Sequence, residues 1–141
     1  MRMAHIISQR SKDPSTQVGS VIATVENVVV GIGYNGFPRG VDHDTFPWER
    51  VGALHETKYA YICHAEENAI YNANNSTKGC KLYSTLFPCN ECAKAIIQNG
   101  ISHIIYEHDY YHDEPQCIAA RKMFEAANIE CRQYSVQTSH T

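Results

Sequence analysis

The first apolar positions to recur are Met3, Ile6 and Ile7, whose three- and four-residue spacing predicts the end of a helix over residues 3–10. Residues 17–24 (QVGSVIAT) and 28–32 (VVVGI) are rich in β-branched side chains and predict two strands, with Glu26-Asn27 in the turn between them. A turn over 11–15 rests on Asp13-Pro14, and residues 33–50, with three Gly and two Pro, read as a loop. A helix is expected over 64–74, ended by Asn75-Ser76 and Gly79. There follow a strand over 81–86 (KLYSTL), a helix over 90–99 with Gly100 as its stop signal, and a strand over 103–107. The last elements are an amphipathic helix over 116–127, with Ile118, Met123, Phe124 and Ala127 at roughly helical spacing, and a strand over 129–136. Strands that alternate with helices after an opening hairpin imply an α/β fold: a mixed sheet with helices on both faces. Residues 1–141 read as one domain, with 135–141 as a polar tail. Cys80, Cys117 and Cys131 fall in core-like segments and read as small apolar fillers.

Composition narrows the field of functions. Lys and Arg number 12 against 15 Asp and Glu, for a net charge of −3, so general nucleic-acid binding is not expected. No apolar run approaches the ~20 residues of a membrane-spanning helix. The opening residues MRMAHIISQR lack the apolar stretch of a signal peptide, so the six cysteines are read as reduced thiols of a cytoplasmic protein. Eight histidines make metal binding worth testing.

Gly31-Ile32-Gly33-Tyr34-Asn35-Gly36 matches a dinucleotide-binding pattern in letters only. That pattern works when a helix opens at once and its N-terminus holds a pyrophosphate, whereas Phe37-Pro38-Arg39-Gly40 breaks a helix. The glycines are expected instead to let backbone pass close to another segment or to a ligand.

Two other motifs carry chemistry. Cys89-Asn90-Glu91-Cys92 places two thiols at a helix start, where the N-terminus lowers thiol pKa values and favours the thiolate that zinc needs. His64 is a suitable third ligand, and three protein ligands leave the fourth tetrahedral position open, as in catalytic zinc. Cys63 or Cys80 could instead close the site as structural zinc, and a lone C-x-x-C could be a redox pair. Glu66, two residues from His64, favours the catalytic alternative, because a carboxylate beside the metal can move protons and a closed structural site needs none.

The stretches His64-Ala65-Glu66-x-Asn68-Ala69-Ile70 and Phe87-Pro88-Cys89-x-x-Cys92-Ala93-Lys94 join three others: Asp13-Pro14-Ser15-Thr16-Gln17-Val18-Gly19, Gly33-Tyr34-Asn35-Gly36, and Tyr111-His112-Asp113. Together they resemble the zinc-dependent cytidine and deoxycytidylate deaminases, the deoxycytidylate (dCMP) branch above all. Free cytidine deaminases typically carry Cys where this chain has His64, and tRNA adenosine deaminases usually carry basic surfaces.

The resemblance implies a three-layer α-β-α fold around a five-stranded mixed sheet, and a homo-oligomer, commonly a hexamer. It implies hydrolysis of dCMP to dUMP and ammonia, with dUMP feeding dTMP synthesis. One Zn²⁺ would be held by His64, Cys89 and Cys92, with Glu66 as the proton carrier. Asn35 and Tyr111 would contact substrate, although Tyr110 beside Tyr111 leaves that assignment open. Gly33, Tyr34, Gly36, Arg39 and Arg121 are candidates for phosphate or effector contacts. Many relatives are activated by dCTP with Mg²⁺ and inhibited by dTTP. The partners implied are nucleotides, not nucleic acid or membrane. His108, Asp109, His112 and Asp113 could hold a second metal, but a polar loop is the simpler reading. Phe46-Pro47-Trp48 could cover part of the pocket or fill an interface.

Overall fold

The expected hairpin forms. β1 (Gly19–Ala23) pairs antiparallel with β2 (Val29–Tyr34), and Asn27, at φ 68°, makes the turn between them. The computed structural model describes residues 1–135. Residue 136 of the last expected strand and all of the expected tail beyond Ser135 lie outside the described residues.

The remaining elements are α1 (Arg2–Ser8), two 3₁₀ turns (Leu54–Glu56 and Lys58–Ala60), α2 (Ala65–Tyr71), β3 (Lys81–Leu86), α3 (Asn90–Gln98), β4 (His103–His108), α4 (Pro115–Ala126) and β5 (Glu130–Gln133). The five strands form one mixed sheet in the order β2-β1-β3-β4-β5. β1 is antiparallel to both of its neighbours, whereas β3, β4 and β5 are parallel. Parallel neighbours require crossovers, and α3 and α4 supply them.

Register sorts the side chains onto two faces. Ser20 pairs with Gly33 and Ser84, and Ile22 pairs with Gly31 and Leu82, so these residues share one face. The core lies on that face: Ile22, Leu82 and Ile104 pack with Ala93 and Ile96 of α3 and with Ala120 and Phe124 of α4. β2 lies close beneath α2, because a Cβ on Gly33 would come within 2.3 Å of the Ala69 nitrogen, and one on Gly31 within 2.4 Å of the Ala69 oxygen. This is the close backbone approach expected of the glycines, and no helix follows them.

α1 packs on the opposite face and corrects an expectation. Met3 and Ile6, 48% and 64% exposed, face outward, while Ala4 and Ser8 are buried. The reason is Gly19, whose absent Cβ lets the Ala4 carbonyl come so close that a Cβ there would lie 1.9 Å away. Only small side chains fit at that distance. Cys131 is also corrected: all four residues of β5 are exposed at the sheet edge, so this thiol fills no core, whereas Cys80 and Cys117 are buried.

Candidate active site

The site lies beyond the carboxyl end of β3, where the first turns of α2 and α3 converge. His64 is the N-cap residue of α2 and Cys89 that of α3, each in extended conformation, with Cys92 one turn further along α3. A two-residue bridge fixes the approach to His64: Gly36 N–H donates to Cys63 O at 3.0 Å, and Cys63 N–H to Gly36 O at 2.7 Å. His64 Nδ1 lies 3.2 Å from Cys92 Sγ and 3.5 Å from Cys89 Sγ.

These three ligand atoms lie within 4.8 Å of one another, and theirs is the one such convergence of His, Cys, Asp and Glu among the described residues. One imidazole nitrogen and two thiols suit zinc in kind and number. Cys63 and Cys80 do not join them, so among the described residues nothing closes the site as a fourth ligand, and the loop of His108, Asp109, His112 and Asp113 gathers no second cluster.

The protons of this corner are shared. Cys89 is pulled down to about 4, first by the Cys92 thiol donating to it and then by His64. His64 is raised to about 9, chiefly by its hydrogen bond to Cys89, and Cys92 is raised because the Cys89 thiolate is its neighbour. These shifts favour a proton on His64 and Cys92 and the thiolate form of Cys89.

Glu66, 4% exposed, sits in the first turn of α2 with Oε2 3.5 Å from Cys92 Sγ. Burial raises its pKa above the ordinary carboxyl value. Ser84 Oγ lies 3.1 Å from Glu66 Oε1 and 2.8 Å from Leu86 O, and Ser20 Oγ donates to it at 3.2 Å. A hydroxyl has one proton, so Ser84 donates to only one of Glu66 Oε1 and Leu86 O at a time.

A cavity of about 440 Å³ opens onto this corner, and Asp13, Asn35, Arg50, Lys58, Tyr59 and Tyr111 line its walls. Tyr110 instead stacks on His108 with centroids 4.8 Å apart, and of the two tyrosines it is Tyr111 that lines this cavity.

Asn35 reaches the wall with its side chain already engaged. Its Oδ1 accepts from Val18 N–H at 2.8 Å, and its Nδ2 donates to Thr16 O at 2.9 Å and Asp13 Oδ2 at 3.4 Å. The second lone pair of Oδ1 is what remains for a ligand. Asp13 is the hub behind it. Its Oδ1 accepts from the N–H groups of Ser15 and Thr16, and its Oδ2 takes Lys58 Nζ at 2.7 Å in an ion pair whose side chains are 1% and 7% exposed. Spacing pointed to neither Lys58 nor Arg50, because their loop carries no periodic pattern.

The five candidates for phosphate or effector contacts separate. Tyr34 and Gly36 line a second cavity of about 440 Å³, which shares Asn35 with the first. Gly33 lines neither cavity, because it is committed to the contact with α2. Arg39 donates to Asn72 Oδ1 at 3.4 Å on the outer surface. Arg121 reaches from α4 to the Tyr111 loop, donating from one terminal nitrogen to His112 O at 2.7 Å, with the other 3.0 Å from His112 Nδ1. His112 Nδ1 is in turn 2.7 Å from Asp109 Oδ2, so Arg121 acts as a clamp on that loop. Trp48 stacks on Phe37 at 4.2 Å and lines the second cavity with it, and Phe46 meets Tyr61 edge-on.

Comparison with known proteins agrees with this geometry. Residues 1–108 match the family model described as the cytidine and deoxycytidylate deaminase zinc-binding region. The chain belongs to this family. The deoxycytidylate deaminase of Mus musculus is 50% identical over 141 residues, covering 99% of this chain and 79% of the mouse protein. That of Homo sapiens is 51% identical over 136 residues, covering 95% of this chain and 76% of the human one. The dCMP deaminase of cyanophage S-TIM5 superposes with a TM-score of 0.74 over 94% of this chain and 92% of its own, at 21% identity, which shows the shared fold. Among the described residues, no helix is long and apolar enough to cross a membrane.

Proposed function

We propose that this protein deaminates dCMP hydrolytically, giving dUMP, a precursor of dTMP, and ammonia. The observation that carries this reading is the convergence of His64 Nδ1, Cys89 Sγ and Cys92 Sγ with buried Glu66 at the end of one cavity. Relatives about half identical in sequence, named deoxycytidylate deaminases, support the choice of substrate.

His64, Cys89 and Cys92 would hold the zinc, whose Lewis acidity would bring the pKa of a water molecule to about 7. The protein's own groups do the rest. Glu66 accepts the proton of the attacking water at its carboxylate and delivers it to ring N3, then assists the departing amine. Its raised pKa suits it to hold that proton between steps. Ser20, Ser84 and Leu86 fix the carboxyl group from behind. Tyr111 and the Asn35 wall flank the nucleotide.

The second cavity is the candidate place for regulation by dCTP with Mg²⁺ and by dTTP. Arg10 and Lys12 bring positive charge there, and Tyr34, Phe37 and Trp48 bring rings on which a base can stack. A homo-oligomer, a hexamer by resemblance, completes the proposal.

Ammonia release from dCMP and deoxycytidine, measured side by side, tests the substrate. A preference for dCMP of roughly 10²–10⁴ in kcat/KM is expected, because removing a phosphate leaves charge-assisted donors unpaired. Equal values would assign the protein to the nucleoside deaminases. Rates that stay hyperbolic and indifferent to dCTP and dTTP would remove the regulation and leave the chemistry standing.

A further inference from the structure

Four side chains of opposite formal charge line the cavity with the metal ligands: Asp13 and Glu66, Lys58 and Arg50. Lys58 is balanced by Asp13 at 2.7 Å. Glu66 is the proton carrier and lies against the metal corner. Arg50 has no carboxylate partner among the described residues. Its Nε donates to Tyr59 Oη at 3.4 Å, and the N–H groups of its two terminal nitrogens have no protein acceptor there. Its electrostatic neighbours are Tyr59, Tyr111 and Asp13, all of them cavity residues. The guanidinium therefore belongs to the cavity, although it is exposed.

Depth along the cavity matters as much as charge. Glu66, Asp13 and Lys58 are buried, whereas Tyr59 is 51% and Tyr111 38% exposed, and Arg50 is exposed beside them. A pyrimidine whose C4 reaches the His64–Cys89–Cys92 corner must leave its sugar and 5′-phosphate toward that exposed rim. We infer that Arg50, held at its Nε by Tyr59, is the specificity-determining residue that meets the 5′-phosphate of the substrate, a role resting on the reading of dCMP as substrate. An arginine fork matches two phosphate oxygens, and the unbalanced charge at the rim complements a dianion.

The test compares the zinc-loaded wild type with Arg50→Gln and Arg50→Lys on dCMP and on deoxycytidine. Arg50→Gln is expected to lower kcat/KM for dCMP by about 10–10²-fold, mostly through KM, the effect of losing charge-assisted hydrogen bonds. Deoxycytidine, which has nothing to offer the fork, should change by less than about twofold, and Arg50→Lys should fall between, keeping charge without the bidentate geometry. Equal losses on both substrates would mean that Arg50 only supports the wall, and an undiminished preference for dCMP in Arg50→Gln would put the phosphate elsewhere; either result overturns the inference and leaves dCMP as substrate. A wild type with no preference between the two substrates would overturn the substrate reading and this inference together.

Discussion

The inner end and the rim of the cavity are held in different ways. At the inner end, His64, Glu66, Cys89 and Cys92 project from the first turns of two helices, which are packed against the sheet through Gly31, Gly33, Ala93 and Ile96. At the rim, Arg50 and Tyr111 project from loops and Tyr59 from a short 3₁₀ turn, held by few contacts, such as that of Arg50 with Tyr59 and the Arg121 clamp on the loop after β4. Bond-making steps need groups placed within fractions of an ångström, which regular elements provide, whereas binding an outlying phosphate tolerates looser supports. Between the two lies the Asp13–Lys58 pair, buried like the inner end but carried on a loop and a short 3₁₀ turn.

The contrast is broken most severely at Glu66. Glu66→Gln should retain zinc and fold but lose about 10²–10⁴ in kcat, the usual contribution of an acid–base group. Ammonia release together with elemental analysis checks this, and wild-type turnover in the variant would mean that the proton travels elsewhere.

Lys58→Met tests the middle wall. It leaves the Asp13 carboxylate buried without its cation, and removing one member of a buried pair costs about 3–5 kcal/mol. Denaturant unfolding should show that loss, and Asp13→Asn combined with Lys58→Met should recover part of it. A single variant as stable as the wild type would mean that water reaches Asp13.

Metal uptake sharpens the description of the inner end. With His64 raised to about 9, Cys92 raised and Cys89 lowered to about 4, protons at pH 7 are expected on His64 and Cys92 and none on Cys89 before metal binds. A divalent cation needs all three ligands deprotonated, so binding should release about two protons. Zinc affinity should therefore rise with pH, by about 10² per pH unit near neutrality and less steeply above about 9. Calorimetry of zinc binding in buffers of different ionisation enthalpy counts the protons directly. Release of none would place the metal on other ligands.

The smallest effect is expected at Arg121. Its contacts with His112 are exposed, so Arg121→Gln should change stability by no more than about 1 kcal/mol. Its signature should be kinetic, a modest rise in KM for dCMP as the Tyr111 loop loosens, and Tyr111→Phe should make the two substitutions non-additive. Additive losses would separate the clamp from the tyrosine.

The sequence by itself determined the order of the elements and which side chains stand together at the inner end. β-Branched runs, turn residues and helix stop signals act over a few residues, and covalent spacing already holds Glu66 two residues from His64 and Cys92 three from Cys89. Only the tertiary structure decided which side of α1 meets the sheet, because the absent Cβ of Gly19 favours Ala4 and Ser8 over the more apolar Met3 and Ile6. It also decided that Gly33 supports a helix, that Arg121 clamps a loop, and that Asp13, Arg50, Lys58 and Tyr111, far apart in the chain, share one cavity. Such meetings depend on sheet order and close backbone approach, which are set by the packing of all the elements together and leave no periodic trace in any one of them.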